Sequence, residues 1–215
     1  MKLDELLRQR DFQGAIFDMD GLIVDSEELT IIVAADLLSE RFGVTLTAEE
    51  RAVSYGEPDI YLFQRAVRKY GLDADPQELL QEHYKRENER LSELQLLPGI
   101  ERVLRTLELQ KALCSGSTRY KVDYVQDKFD LRRYFRVSVA EQDTKLHKPN
   151  PDPYIESAKQ LGVDPKHCLA FEDSDNGVVA AKAAGLYCVG VLVGNHGITR
   201  LEHADVVIPT FEALF

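Results

Sequence analysis

Short apolar runs separated by helix-period stretches limit what this 215-residue chain can fold into. The runs are Ala15–Phe17, Lys111–Cys114, Val137–Ala140, Cys168–Phe171, Tyr187–Val193 and Val206–Ile208. Between most of them apolar residues recur at helical spacing, as at Ile100, Val103, Leu104 and Leu107, and at Val122, Val125 and Phe129. Pro153 opens a further helix through Tyr154, Ile155, Ala158 and Leu161 that Gly162 stops. A small-residue helix runs from Gly177 to Ala184 and ends at Gly185. Apolar strands alternating with helices predict an α/β core with a parallel sheet covered on both faces.

The stretch from Glu28 to Leu97 breaks that rhythm, because it carries helical patterns and no strand. Asp25 with Glu28 three residues on resembles a helix start, and the helix runs through Leu29, Ile32, Val33 and Leu37 to Gly43. Pro58 to Tyr70 reads as a second helix, and Asp75-Pro76-Gln77-Glu78 starts a third. Pro98-Gly99 marks the return. The expected organisation is a core of residues 1–27 and 96–215 with an all-helical cap, 28–95, inserted after the first strand. Hinges near Ser26 and Leu97 would let the cap move as a lid.

Charge excludes some partners. Lys+Arg 26 against Asp+Glu 37 gives a net charge of −11, which argues against nucleic acid and anionic membranes. No run is long enough to span a membrane, and Met1-Lys2-Leu3-Asp4-Glu5 lacks the apolar core of a signal peptide. The three cysteines, Cys114, Cys168 and Cys188, each stand in an apolar run, as reduced, buried thiols in a cytoplasmic protein would. With no exposed heptad or apolar stripe, the expected state is a monomer.

The chemistry sits where the strands end. In an open α/β sheet, ligands bind beyond the carboxyl ends of the strands. Strand one ends in Asp18-Met19-Asp20-Gly21, strand two in Ser115-Gly116-Ser117, and strand four in Glu172-Asp173-Ser174; Lys148-Pro149 follows strand three. Each has an ordinary reading: a solvated turn, a helix cap, a loop lysine. Together on one rim they suit phosphoryl transfer. Asp18 is the candidate nucleophile, and Asp20 the acid that protonates the leaving alcohol and then the base for water. Ser115 and the Gly116 backbone would bind phosphoryl oxygens, and Lys148 would supply positive charge. Asp18 and Asp173 suit a Mg²⁺ bridge to the phosphoryl group.

The chain resembles a haloacid-dehalogenase-superfamily phosphatase with a helical cap, of the β-phosphoglucomutase and phosphoglycolate-phosphatase branch. The matching stretches are Phe17 to Ser26, Leu113-Cys114-Ser115, Lys148-Pro149-Asn150-Pro151-Asp152 and Phe171 to Gly177. The resemblance implies a Rossmann-like core and Mg²⁺ held by Asp18, the Asp20 backbone carbonyl and Asp173. Glu172 is implied as a direct or outer partner of the metal, and Asp25 as a support for the loop after the nucleophile. Dehalogenases lack the second Asp, so Asp20 points to phosphate esters. His147 departs from the family's usual Gly; it is a substrate contact or a surface side chain.

Mutases of this branch carry a His and an Arg on the cap, at positions that align with Thr30 and near Asp59. Both cations are absent, which favours hydrolysis of a small phosphorylated metabolite, a sugar phosphate, over the alternative of a phosphomutase. A non-catalytic module on the same scaffold is a third reading, against which Asp18, Asp20, Lys148 and Asp173 all stand. Lys85 and Arg86 suit either a distal anion or a solvated helix face, and Tyr55-Gly56-Glu57-Pro58 either a substrate-facing turn or an ordinary loop.

Overall fold

The apolar runs become strands of one sheet. The computed structural model describes residues 2–55, 57–192 and 201–215. Its strands are β1 (Gly14–Phe17), β2 (Gln110–Cys114), β3 (Val137–Val139), β4 (Cys168–Glu172), β5 (Tyr187–Val191) and β6 (Val206–Ile208). They lie in the order β3-β2-β1-β4-β5-β6, every pairing parallel. Of the run expected to continue to Val193, the strand ends at Val191, the Leu192 amide still donates to the Ile208 carbonyl at 3.0 Å, and Val193 itself lies outside the described residues.

The chain divides into two compact units, Met1–Asp25 with Gln95–Phe215, and Ser26–Leu94. The first holds the sheet with helices on both sides. Its helices are α1 (Leu3–Leu7), α6 (Ile100–Thr106), α7 (Arg119–Lys128), α8 (Asp152–Leu161) and α9 (Asp175–Ala183). Alternation along the strands sends Ile16, Ala112, Cys114, Ala170 and Cys188 to one face, where they pack against Tyr154, Ala158 and Leu161 of α8 and Val178 and Ala181 of α9. The other face carries aromatics. Phe17 stacks on Phe171 at 4.7 Å between centroids and meets Phe135 edge-on at 5.8 Å; Phe211 closes on Phe171 at 5.5 Å. The three cysteines are free and buried, and burial pushes the Cys114 thiol up to about 11 and Cys168 to about 12.

The second unit is helical: α2 (Glu27–Phe42), α3 (Ala48–Ala52), α4 (Ile60–Tyr70) and α5 (Pro76–Arg90), packed around Leu37, Leu38, Phe63, Ala66 and Leu79. Asp75 caps α5, accepting from the Gln77 amide at 2.9 Å with Pro76 in the first turn. The first cap helix departs from expectation. It starts at Glu27, with Ser26 at the cap position, while the Asp25 amide donates to the Gln95 carbonyl at 3.1 Å. The α3 helix was not legible as a periodicity; it is one capping box, with Thr47 and Glu50 each accepting from the other's amide. Gly56, in the turn read as substrate-facing, lies outside the described residues.

Candidate active site

Register sets the site. Phe17 pairs with Leu113 on one side and Phe171 on the other, so Asp18 comes out beside Cys114 and Glu172, with Ser115 one residue further along. The Asp18 amide donates to the Phe171 carbonyl at 3.1 Å, and the Ser115 amide to Val139 at 2.9 Å, continuing the ladders past the strand ends. Beyond Asp18 the chain folds back. The Ile23 and Val24 amides return to the Met19 carbonyl at 2.9 and 3.1 Å, and Gly21 turns with φ +74°. Met19, Leu22, Ile23 and Val24 fill the interior, fully buried.

Lys148 reaches the buried Asp18 from the loop after β3. Its ammonium donates to Asp18 Oδ1, to Glu172 Oε1 at 2.6 Å and to the Cys114 carbonyl at 3.1 Å. Burial acts to lower the Lys148 pKa, but Asp18 and Glu172 outweigh it and hold the ammonium well above the ordinary lysine value. Burial pushes the Asp18 carboxyl well above the usual carboxylate range; Lys148 opposes that shift, and Glu172 and Asp20 add to it. Glu172 is fully buried. Its Oε1 also accepts from Tyr154 Oη at 2.5 Å, and its Oε2 accepts from the Asp173 amide and the Ser174 amide and hydroxyl at 3.2 to 3.4 Å. With Ser174 capping α9, the carboxylate rests at that helix's N-terminus, where negative charge is favoured.

Asp20 stands in a separate group. Its Oδ2 accepts from the hydroxyls of Ser115 and Ser117, both at 2.8 Å, and its Oδ1 lies 3.0 Å from Lys121 Nζ. Ser115, expected to bind phosphoryl oxygens, therefore holds Asp20 here, and its Oγ accepts from the Ser117 amide at 2.9 Å. Gly116 is exposed, with open space where a Cβ would stand. Thr118, not Ser115, caps α7. His147 is exposed, and its carbonyl accepts from Asn150, the surface reading of that residue. Arg86 on the helical unit is taken up by Glu82 and Glu40 at 2.7 and 2.6 Å.

Three residues at the site were not singled out from the sequence: Ser117, Lys121 and Tyr154. Ser117 lies in the bend after β2, past the reach of strand alternation, and its hydroxyl still meets Asp20. Tyr154 read as core, which it is, but its hydroxyl alone tells that it also meets Glu172. Lys121 gave no signal, because a lysine beside an apolar helix stripe reads as solvated.

Asp18, Glu172 and Asp173 each bring a carboxylate oxygen within 4.8 Å of the others, and all three are buried. An all-oxygen donor set with negative charge in excess of the Lys148 ammonium fits a hard divalent cation such as Mg²⁺. Glu172 is the most committed of the three, since its two oxygens already receive five donors.

The chain is similar to known proteins in sequence and in fold. Residues 15–191 match the family described as haloacid dehalogenase-like hydrolase. Fructose-1-phosphate phosphatase YqaB of Escherichia coli (strain K12) is 32% identical over 185 residues, 84% of this chain and 96% of that one. Hexitol phosphatase B of the same organism is 32% identical over 188 residues, 85% of this chain and 84% of that one. Among solved structures, a conserved haloacid dehalogenase-like protein of unknown function, ATU0790 from Agrobacterium tumefaciens str. C58, superposes with a TM-score of 0.82 at 28% identity. That superposition covers 94% of this chain and 96% of the other. By sequence match and by fold, the chain belongs to the haloacid dehalogenase-like hydrolase family.

Proposed function

We propose that this chain is a Mg²⁺-dependent phosphomonoesterase that hydrolyses a small phosphorylated metabolite, a sugar phosphate, through an aspartyl-phosphate on Asp18. The observation that carries the reading is the buried Asp18 carboxylate, gripped by Lys148, with a second carboxyl two residues on at Asp20. The sugar-phosphate class is supported by the two Escherichia coli relatives, whose names specify fructose 1-phosphate and hexitol phosphates.

Asp18, Asp173 and the backbone carbonyl of Asp20 would hold the cation, and Glu172 would serve as its outer partner while anchoring Lys148. When bound, Mg²⁺ neutralises charge on the phosphoryl oxygens and on the carboxylate that attacks them. The remaining work belongs to the side chains. An Asp18 oxygen attacks phosphorus, and the ester P–O bond breaks as the new one forms. Asp20 gives its proton to the departing alkoxide, so the alcohol leaves neutral. Water then attacks the same phosphorus, Asp20 takes the water's proton, and the Asp18–phosphorus bond breaks to release phosphate. Before the attack, Asp18 and Glu172 hold the Lys148 ammonium charged.

Hydrolysis is favoured over isomerisation by the helical unit. The Thr30 hydroxyl, where a mutase would present a cation, donates to Glu87 at 2.6 Å. The test is phosphate release from a panel of sugar phosphates, with Mg²⁺ and with EDTA. Release that needs the metal is the expected result. Release unaffected by EDTA would break the metal-dependent reading. No release until a sugar bisphosphate is added, with isomers exchanged, would establish the mutase instead.

A further inference from the structure

Lys121 occupies a place that local stability does not explain. It is 5% exposed, although burying an ammonium is costly. It stands in the first turn of α7, where the helix dipole disfavours a cation. Thr118 caps that turn by accepting from the Lys121 amide at 3.4 Å, so the helix start makes no demand on the lysine side chain. The side chain instead reaches Asp20, placing Nζ 3.0 Å from Oδ1. Residues that break a local rule concentrate at functional sites.

We propose that Lys121 is a positioning residue that fixes the orientation of the Asp20 carboxylate. The inference rests on the acid and base role given to Asp20 above. The geometry distinguishes the two oxygens. Both Ser115 and Ser117 hydroxyls fall on Oδ2, so neither of them fixes the position of Oδ1. Lys121 grips Oδ1 and so sets the plane. A proton transfer between Asp20 and an alcohol oxygen depends on that plane, because the reacting lone pair must point along the line of transfer.

Lys121→Met keeps the stem and removes the ammonium. On the sugar phosphate turned over best, kcat should fall about tenfold, part of the 10²–10⁴ that a well-placed acid contributes, with KM changed less than about twofold. Lys121→Arg should recover part of the loss. The double variant Asp20→Asn/Lys121→Met should be no slower than Asp20→Asn alone, because a residue that acts through Asp20 has nothing left to act on. Rate losses that multiply, or a Lys121→Arg no better than Lys121→Met, would overturn the assignment.

A second cycle needs no turnover. Asp20→Asn leaves the Lys121 ammonium buried without its carboxylate and should lower Tm. Adding Lys121→Met to that variant should raise Tm by about 3 °C. Independent Tm effects of the two substitutions would overturn the pairing. If the wild-type protein released no phosphate from any substrate, the phosphomonoesterase reading would fail on its own, and the Tm cycle would still decide whether Lys121 and Asp20 act as one.

Discussion

The rim of the sheet and the surface of the helical unit use charge in opposite ways. In the sheet-bearing unit, Lys148, Asp18 and Glu172 form a chain of ion pairs whose side chains are 12%, 9% and 0% exposed. In the helical unit, Arg41 pairs with Glu82, Arg86 with Glu82 and Glu40, and Arg90 with Asp36 and Glu93, with the arginines 29–40% exposed. Pairs of the second kind are worth about 0–1 kcal/mol each and are screened by salt. Pairs of the first kind require ions to be taken out of water, which stability alone does not repay. The buried chain of ion pairs thus coincides with the site proposed for catalysis, whereas the arginine pairs of the helical unit meet solvent.

That contrast can be attacked at three points. Asp18→Asn removes the buried carboxylate that is read as the nucleophile. Its kcat should fall at least about 10⁴-fold, measured as phosphate release with Mg²⁺ present. Turnover close to wild type would show that the buried pair is structural. Gly177→Ala tests how tightly the site is packed. An added Cβ would stand 1.9 to 2.1 Å from the Glu172 carboxylate, whose fully buried side chain has nowhere to move. The cost should be about 1–3 kcal/mol in thermal unfolding, with activity falling alongside as Lys148 loses its anchor.

The smallest effect belongs to the exposed side of the comparison. The Thr47 amide, and after it Lys69 and Tyr70, hold the Glu50 carboxyl at about 2, below its ordinary 4.5. A depressed carboxyl stabilises the fold above the unfolded value and loses that contribution as pH falls from 4.5 toward 2. Glu50→Gln should therefore lower Tm slightly at neutral pH, and the gap to wild type should close across that acid range. A gap independent of pH would mean that the capping box, not the charge, is what Glu50 supplies.

Much of this arrangement was legible from side-chain pattern. The β6 strand follows its apolar run residue for residue, and β1 to β4 each differ from theirs by one residue at an end. Asp18, Lys148 and Glu172 could be read because a sheet of parallel strands delivers its strand ends to one rim, and register then brings them together. The start of α2 was misread because Asp25 has the right residue type, while a backbone bond to Gln95 engages its amide. Lys121 was missed for a deeper reason. The role proposed for it depends on the direction of one long side chain toward Asp20, and spacing along a helix does not encode that.

The strand order also carries a consequence for how the protein is made. Gly14 on β1 pairs with Gln110 on β2 and with Cys168 on β4, so the strand that ends in Asp18 waits for partners synthesised far later. The helical unit draws its contacts from the unbroken stretch Ser26–Leu94 and is complete before either partner strand exists. Domains fold as units and long-range strand pairing is slow, so the helical unit can gather its contacts during translation while β1 still lacks both partners. The chain of ion pairs from Asp18 through Lys148 to Glu172 therefore cannot be complete before Glu172, at the end of β4, has been made.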